Sequence, residues 1–485
     1  MNYKIIFRTT GSVLKLLAVL LLLPAVVSLI YQEQCFSAFL ITALFSAVFG
    51  LALTLLFKKD NQPFFAKEGL VIVAFAWLAV SLIGALPFVI SGEIPSYIDA
   101  VFETASGFTT TGASILTDVE NLSKGLLFWR SFTHWIGGMG VIVFIMAITS
   151  KTPDRSMHIL RAEMPGPVVG KLVPKAKDTA KILYVIYMAL TVLLIIFLAF
   201  GDMNLFESVI HAFGTAGTGG FSSKALSIGA YSEYSQWVIA VFMLLFGVNF
   251  NLYYLIIIGK IGSAIKSKEL LAYLITAIAS MAIVAISIKD MYSSISDVLR
   301  NSFFQVTSIM STTGYSTVDF NLWPPLAKAV LVILMFVGGM AGSTAGGFKF
   351  SRVIILFKKM GNELKKAVHP RTASIVKFEG KRVSEETSNG VLSYFAIYMV
   401  SILAIFLLLS IDSAICGEFA FETNLTASIS CFNNIGPGFA LVGPMSSFAM
   451  YSPFSKIILT IAMLLGRLEI YPLLLTLAPA TWIKK

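Results

Sequence analysis

Ten stretches of this chain, near 12–31, 36–57, 69–91, 132–150, 180–200, 236–259, 270–288, 326–348, 390–411 and 456–480, are each apolar over about the 20 residues that a helix rising 1.5 Å per residue needs to cross a bilayer. No core in water could hide that much apolar surface. Hydrophobic residues make up 57% of the 485 and charged residues 13%, about half the share that dresses a soluble domain; the mean hydropathy of +0.83 agrees. A soluble enzyme is therefore excluded, and the solvent is lipid. The first stretch follows Lys4, Arg8 and Lys15 as a signal peptide would, but it runs on to about Tyr31 and no small-x-small cleavage site leads into a soluble segment, so it reads as a span.

An even number of spans puts both termini on one side, and lysine and arginine say which side. Connections on the side of the termini hold 28 of the 36 basic residues, those on the other side hold seven, and Arg467 stands inside a span. Basic connections stay in the cytoplasm, so both ends are expected there. Topology thus accounts for the net charge of +10, and no nucleic-acid partner is needed to explain it. Cys35, Cys416 and Cys431 make neither a disulfide framework nor a zinc pattern.

Four connections on the outer side, 92–131, 202–235, 289–325 and 412–455, are of nearly equal length. Each holds an apolar stretch too short to span: Tyr97 to Phe108, Leu205 to Thr215, Ile295 to Met310 and Phe419 to Phe432. Such stretches read as re-entrant helices. Each runs into a small or hydroxyl-bearing string, and the glycines taken as equivalent, Gly112, Gly219, Gly314 and Gly436, are 107, 95 and 122 residues apart. The expected fold is an all-α membrane protein of ten transmembrane helices and four re-entrant pore helices, in fourfold pseudo-symmetric repeats of outer span, pore helix and inner span around one central pore. Its divisions are a two-helix unit, 1–66, and repeats at 67–177, 178–267, 268–385 and 386–485. Irregular backbone survives at membrane depth only where it is buried in protein or lines a water-filled cavity. Four helix C-termini converging on one axis favour a cation, and carbonyl rings can replace its hydration shell. The loops therefore read as a filter for a large monovalent cation, built from Thr110, Thr111 and Gly112; Gly217, Thr218 and Gly219; Thr312, Thr313 and Gly314; and Asn434, Ile435 and Gly436. No ring of carboxylates accompanies them to suit a divalent ion.

Two features inside the expected spans point to control of such a pathway. Gly338, Gly339, Gly342, Gly346 and Gly347 interrupt the eighth, and at about 1 kcal/mol each relative to alanine they argue for an unwound loop. This is not a phosphate loop, because Phe348-Lys349 stands where Lys-Ser/Thr is required. Arg467 would cost about 2.5 to 3.5 kcal/mol in lipid, so it is expected to face a polar pathway as an electrostatic barrier. Glu469, two residues on, points to another helix face. His134, His158, His211 and His369 form no HExxH pair, there is no GxSxG elbow, and His211 reads as a packed, hydrogen-bonded residue. A secondary transporter coupling its substrate to H⁺ or Na⁺ stays open as the alternative, although Glu469 is the only acid well inside a span.

Ser106-Gly107-Phe108-Thr109-Thr110-Thr111-Gly112, the run from Gly338 through Lys349, and Gly466-Arg467-Leu468-Glu469-Ile470-Tyr471-Pro472, set in this architecture, resemble the Trk/Ktr/HKT superfamily of potassium uptake proteins over essentially the whole chain. The extra N-terminal pair of spans favours the TrkH and TrkG branch over KtrB. The resemblance implies a K⁺-channel-like uptake subunit of the bacterial cytoplasmic membrane, with K⁺ as the transported ion and no organic cofactor. It implies a homodimer with one pore per subunit, K⁺ over Na⁺ selectivity set by glycine at position 112, and a cytoplasmic TrkA-like nucleotide-binding ring as partner. It also makes Gly338 to Lys349, with Ser343, Thr344 and Ala345, the gate beneath the filter. The second and fourth strings depart from the first, so the filter is only approximately fourfold. Nine basic residues between Ser351 and Ser388 offer the partner a surface next to that gate.

Overall fold

A computed structural model of the chain describes residues 1–57, 66–140, 176–371, 375–412 and 414–482. The second half of the span expected over 132–150, Lys58, Lys59, the basic residues expected from Lys151 to Lys175, His158, Lys484 and Lys485 lie outside the described residues.

Helices Tyr3–Leu20 and Leu22–Ile30 run as one span beside Phe36–Leu56. Gly11 and Gly50 bring the two backbones together, since a Cβ on Gly50 would lie 2.7 Å from the Gly11 carbonyl oxygen. In the turn between them the Glu33 carboxylate accepts from the amides of Lys124 (2.6 Å) and Gly125 (2.9 Å). It thereby fills the orphan donors at the start of a helix in the next unit, where a negative charge is favoured.

Four units follow, each with an outer helix, a short buried helix and an inner helix. The outer helices are Ala66–Gly84 continued by Leu86–Ile90, then Ala176–Ala199, Lys268–Ile288 and Glu385–Ile411. The short ones are Tyr97–Phe108, Leu205–Gly217, Ile295–Met310 and Ala420–Asn433, at the segments expected from sequence. Ser96, Asn204 and Ser294 cap the first three through their side-chain oxygens. The inner helices are Lys124–Gly138, Glu233–Phe246, Pro325–Met335 and Pro453–Arg467. In three units an acid at the end of the outer helix ties down the start of the inner one. Glu93 accepts from the Ser123 amide (2.9 Å), Asp202 from the amide of Ser232 (2.8 Å) and the hydroxyls of Ser232 (2.5 Å) and Ser235 (2.6 Å), and Asp412 from the hydroxyls of Ser452 and Ser455.

Each inner helix packs on the short helix of the next unit, and the order closes. Lys124–Gly138 lies on Leu205–Gly217, Glu233–Phe246 on Ile295–Met310, Pro325–Met335 on Ala420–Asn433, and Pro453–Arg467 back on Tyr97–Phe108. Ion pairs cross two of these seams, Arg300 to Glu233 at 2.6 Å and Lys456 to Asp99 at 2.7 Å.

The inner spans differ from expectation. Instead of running through 236–259, the chain bends by 91° between Glu233–Phe246 and Phe250–Ile257. The span expected over 326–348 stops at Met335, and that over 456–480 turns at Glu469 and Ile470, both at positive φ, before Tyr471–Leu477. Six helices among the described residues are long and apolar enough to cross a membrane, or seven with the bent pair counted as one, against ten expected spans. Every inner helix ends within three residues of a glycine: Gly138, Gly247, Gly338 or Gly466. Hydropathy averages over such a break, because the residues on both sides stay apolar while the backbone loses its helix former. Beyond the third break, helix Phe350–Val368 leads to a two-stranded hairpin in which Lys377 faces Arg382 and Phe378 faces Lys381.

Candidate functional site: a closed ring of four loops

The four short helices end in one backbone pattern. Thr110, Thr218, Thr312 and Asn434 are left-handed, with φ of 55°, 56°, 57° and 56°. The amide of the following residue then bonds back to a carbonyl five residues earlier: Thr111 to Ser106, Gly219 to Gly214, Thr313 to Ser308 and Ile435 to Ser430, at 2.8 to 3.0 Å. These are Schellman-type caps on residues that ordinarily avoid the left-handed region. Two residues after each comes a glycine, again at positive φ: Gly112, Gly220, Gly314 and Gly436. The register read from sequence, which set Gly219 opposite Gly112, therefore shifts by one. Gly217 is the last helical residue and the equivalent string is Thr218-Gly219-Gly220. A signal for it was present, because a serine follows two residues after the glycine in Gly112-Ala113-Ser114, Gly220-Phe221-Ser222 and Gly314-Tyr315-Ser316.

The loops touch in cyclic order. A Cβ on Gly112 would strike the Gly219 carbonyl oxygen, one on Gly220 that of Thr313, one on Gly314 that of Ile435, and one on Gly436 that of Thr111. Glycine is required here for close approach as well as for φ. Side chains add cross-links: the Asn434 amide donates to the Thr111 hydroxyl (2.9 Å), the Tyr315 hydroxyl to the Phe221 carbonyl (3.1 Å), and the Phe448 amide to the Ser114 carbonyl (2.8 Å). His211 is buried as expected, bonded to the Glu207 carbonyl and the Ser222 hydroxyl.

A cavity lies on each side of the ring. The four loop glycines, Gly112, Gly220, Gly314 and Gly436, line one of about 350 Å³. The other, of about 50 Å³, is lined by Gly138, Gly342, Gly346, Gly347, Lys349 and Arg467 among others. The segment between Met335 and Phe350 is non-helical and folds on itself through bonds from Gly338 N to Phe348 O (3.1 Å) and Phe350 N to Gly339 O (3.0 Å). It also meets the ring, because the Gly346 amide donates to the Thr312 hydroxyl at 2.7 Å. Ser343 bonds within the loop to Met340 O, Thr344 reaches Phe246 O, and Lys349 turns back onto Ala345 O.

Arg467 lines the second cavity. Its guanidinium donates to Thr344 O (2.9 Å) in the glycine-rich loop and to Gly137 O (2.5 Å) and Gly138 O (2.8 Å) at the end of the first inner helix. It is the fifteenth residue counted from the start of its inner helix, as Gly138 is of the first, and the same count reaches Gly247 and Gly339 just beyond the ends of the second and third. Glu469 pairs with Arg352, whose guanidinium also lies 4.1 Å over the Tyr394 ring.

A family model described as TrkH, cation transport protein, matches residues 36–483. The potassium uptake protein TrkH of the Trk system from Salmonella typhimurium strain LT2 is 33% identical over 489 residues, covering 99% of this chain and 100% of that protein. Its counterpart TrkG from Escherichia coli K12 is 32% identical over 490 residues, covering 99% of each. The crystal structure of the potassium transporter TrkH from Vibrio parahaemolyticus superposes with a TM-score of 0.88 over 100% of both chains at 30% identity.

Proposed function

This chain belongs to the TrkH family of cation transport proteins, a family of membrane transporters and not of enzymes, and from that premise we propose that it takes up K⁺ through the ring of four loops. One observation carries the reading: four identically capped loops meet in a closed order between two cavities. On this reading the carbonyls of Thr110, Thr111 and Gly112, of Thr218, Gly219 and Gly220, of Thr312, Thr313 and Gly314, and of Asn434, Ile435 and Gly436 replace the ion's water. The four short helices aim their negative ends at it. Units 67–177, 178–267, 268–385 and 386–485 each supply one loop, and 1–66 braces the first.

The loop from Gly338 to Lys349 is the gate, and Arg467 is both its latch and a fixed positive charge below the filter. Glu469 is spent on Arg352, which leaves it poorly placed to couple transport to protons. Control comes from a TrkA-like nucleotide-binding ring docked on the cytoplasmic side of a homodimer. A path to the gate supports this. Glu379, at the tip of the hairpin, accepts from the Ser267 hydroxyl (2.9 Å) and the Glu269 amide (2.8 Å), and Glu269 in turn accepts from Ala341 N (3.1 Å) in the gate loop.

Purified protein in liposomes, with K⁺, Rb⁺, Na⁺ and Li⁺ fluxes measured with and without the partner, tests the proposal. K⁺ and Rb⁺ should pass ahead of Na⁺ and Li⁺, at a rate set by the partner. Flux that drives a proton current in proportion would instead identify a symporter.

A further inference from the structure

An ion pair stands at the wall of the outer cavity, with Arg130 among the residues that line it. Glu103 on the first short helix and Arg130 on the first inner helix are 1% and 3% exposed and approach to 2.7 Å. Taking two charges out of water is repaid only where the geometry is good and the remaining polar atoms find partners. Here they do. The carboxylate accepts from Arg130 Nε (2.8 Å), the Ser114 hydroxyl (3.0 Å) and the Ile115 amide (3.0 Å). The guanidinium also donates to the Ser114 hydroxyl (3.2 Å) and the Ser222 carbonyl (3.4 Å), and it lies 4.1 Å over the Phe221 ring.

Those partners are the residues that leave the loops. Ser114 and Ile115 follow Gly112 in the first loop, and Phe221 and Ser222 follow Gly220 in the second. One buried pair thus grips two adjacent loops just beyond their glycines. The other units show that the fold does not need it. Seven residues before each left-handed residue stand Glu103, His211, Gln305 and Ala427, and the seventh residue of each inner helix is Arg130, Ile239, Leu331 or Leu459. His211 makes a neutral version, 3.0 Å from the Ser222 hydroxyl, and Gln305 a long bond of 3.4 Å to the Thr317 hydroxyl, while Ala427 offers nothing. Charge at these paired positions is confined to the first unit.

Resting on the reading of the loops as a filter, we infer that Glu103 and Arg130 are positioning residues for ion selection, holding the Gly112 and Gly220 carbonyls at the spacing that favours K⁺. The pair acts through the two loops it grips. Replacing it should change which ion passes more than how much protein folds.

The test uses the full chain in liposomes and reads the K⁺/Na⁺ flux ratio together with the amount inserted. In Glu103→Gln and in Arg130→Lys, which loses the guanidinium fork, the ratio should fall about tenfold. The doubly neutral Glu103→Gln/Arg130→Met should be no worse than either single variant, because the pair acts as a unit. Ser114→Ala, a mild change at the cavity surface, should lower the ratio about threefold. Gly112→Ser is the control on the filter itself. If it lowers the ratio while the Glu103 and Arg130 variants keep the wild-type value, the pair has no part in selection. If Gly112→Ser is also without effect, the filter reading fails instead. Should the charge variants not insert, an unchanged ratio in Ser114→Ala overturns the inference.

Discussion

Serine at Gly112 and serine at Gly436 should have very different consequences, although both glycines occupy equivalent places in the ring. Both sit at positive φ, 81° and 106°, so each substitution carries a backbone cost of about 1–3 kcal/mol. The difference is steric. A Cβ at position 112 would lie 2.0 Å from the Gly219 carbonyl oxygen, and that oxygen must retreat about 1 Å to reach even 3.0 Å. At position 436 the corresponding oxygen, on Thr111, is 2.9 Å away, and a shift of about 0.1 Å suffices. Gly219 belongs to the second loop, so crowding at 112 turns a carbonyl that the proposed filter aims at the ion. If that displacement takes even 1 to 2 kcal/mol from the preference for K⁺, the K⁺/Na⁺ ratio falls by about 5- to 30-fold. Tracer flux of ⁸⁶Rb⁺ and ²²Na⁺ into liposomes, normalised to inserted protein, measures it. Gly112→Ser should show the full loss and Gly436→Ser a small fraction of it. Equal losses at the two positions, or a larger one at Gly436, would refute the crowding argument.

Arg467→Ala should raise cation flux in the absence of partner, because it removes a fixed charge and also frees Thr344 from Gly137 and Gly138; unchanged or lower flux in well-inserted protein would make Arg467 a structural tie. Alanine at both Gly346, where a Cβ would lie 2.8 Å from the Asn433 carbonyl, and Gly347, at φ 69°, should uncouple flux from the partner's nucleotide state, and nucleotide dependence surviving in a variant that still binds the partner would place the gate elsewhere. Asp202 is held below the ordinary carboxylate range: burial pulls its pKa up, but the hydroxyls of Ser232 and Ser235 and the Ser232 amide outweigh it. Its contribution to stability is therefore present above about pH 4 and fades as the pH falls further, so thermal unfolding in detergent should lose less on acidification in Asp202→Asn than in the wild type.

The short helices were legible because several local signals coincide on each: an apolar stretch too short to span, capping residues such as Ser96 and Asn204 before it, and a small or hydroxyl-bearing string after it. The register of the second loop was not, since Gly217, Gly219 and Gly220 all offer a glycine and only the backbone conformation separates them. The inner-helix breaks escaped for a different reason. The stretches around Gly247 and Gly466 stay apolar on average despite Asn249, Asn251, Arg467 and Glu469, so a sum over hydropathy cannot distinguish a bent helix from a straight one, whereas the dense glycines after Met335 could be read directly. Arg467 stood out through the cost of its charge. Its partners did not, because Thr344, Gly137 and Gly138 are more than a hundred residues away in the chain.

The place Arg467 takes in its inner helix has a consequence for what one polypeptide can do that a ring of identical subunits cannot. In such a ring every substitution is made four times over, so an arginine there would bring four guanidiniums face to face, and a glycine there would leave none. Here the four places reached by the same count along the inner helices are written separately, as Gly138, Gly247, Gly339 and Arg467. Three carry no side chain, and the fourth carries a single charge that bonds to the carbonyls of Gly137 and Gly138. Tandem repetition thus gives each quarter of the ring its own spelling, and the asymmetry that the proposed single barrier charge requires is inherited with the gene instead of depending on assembly.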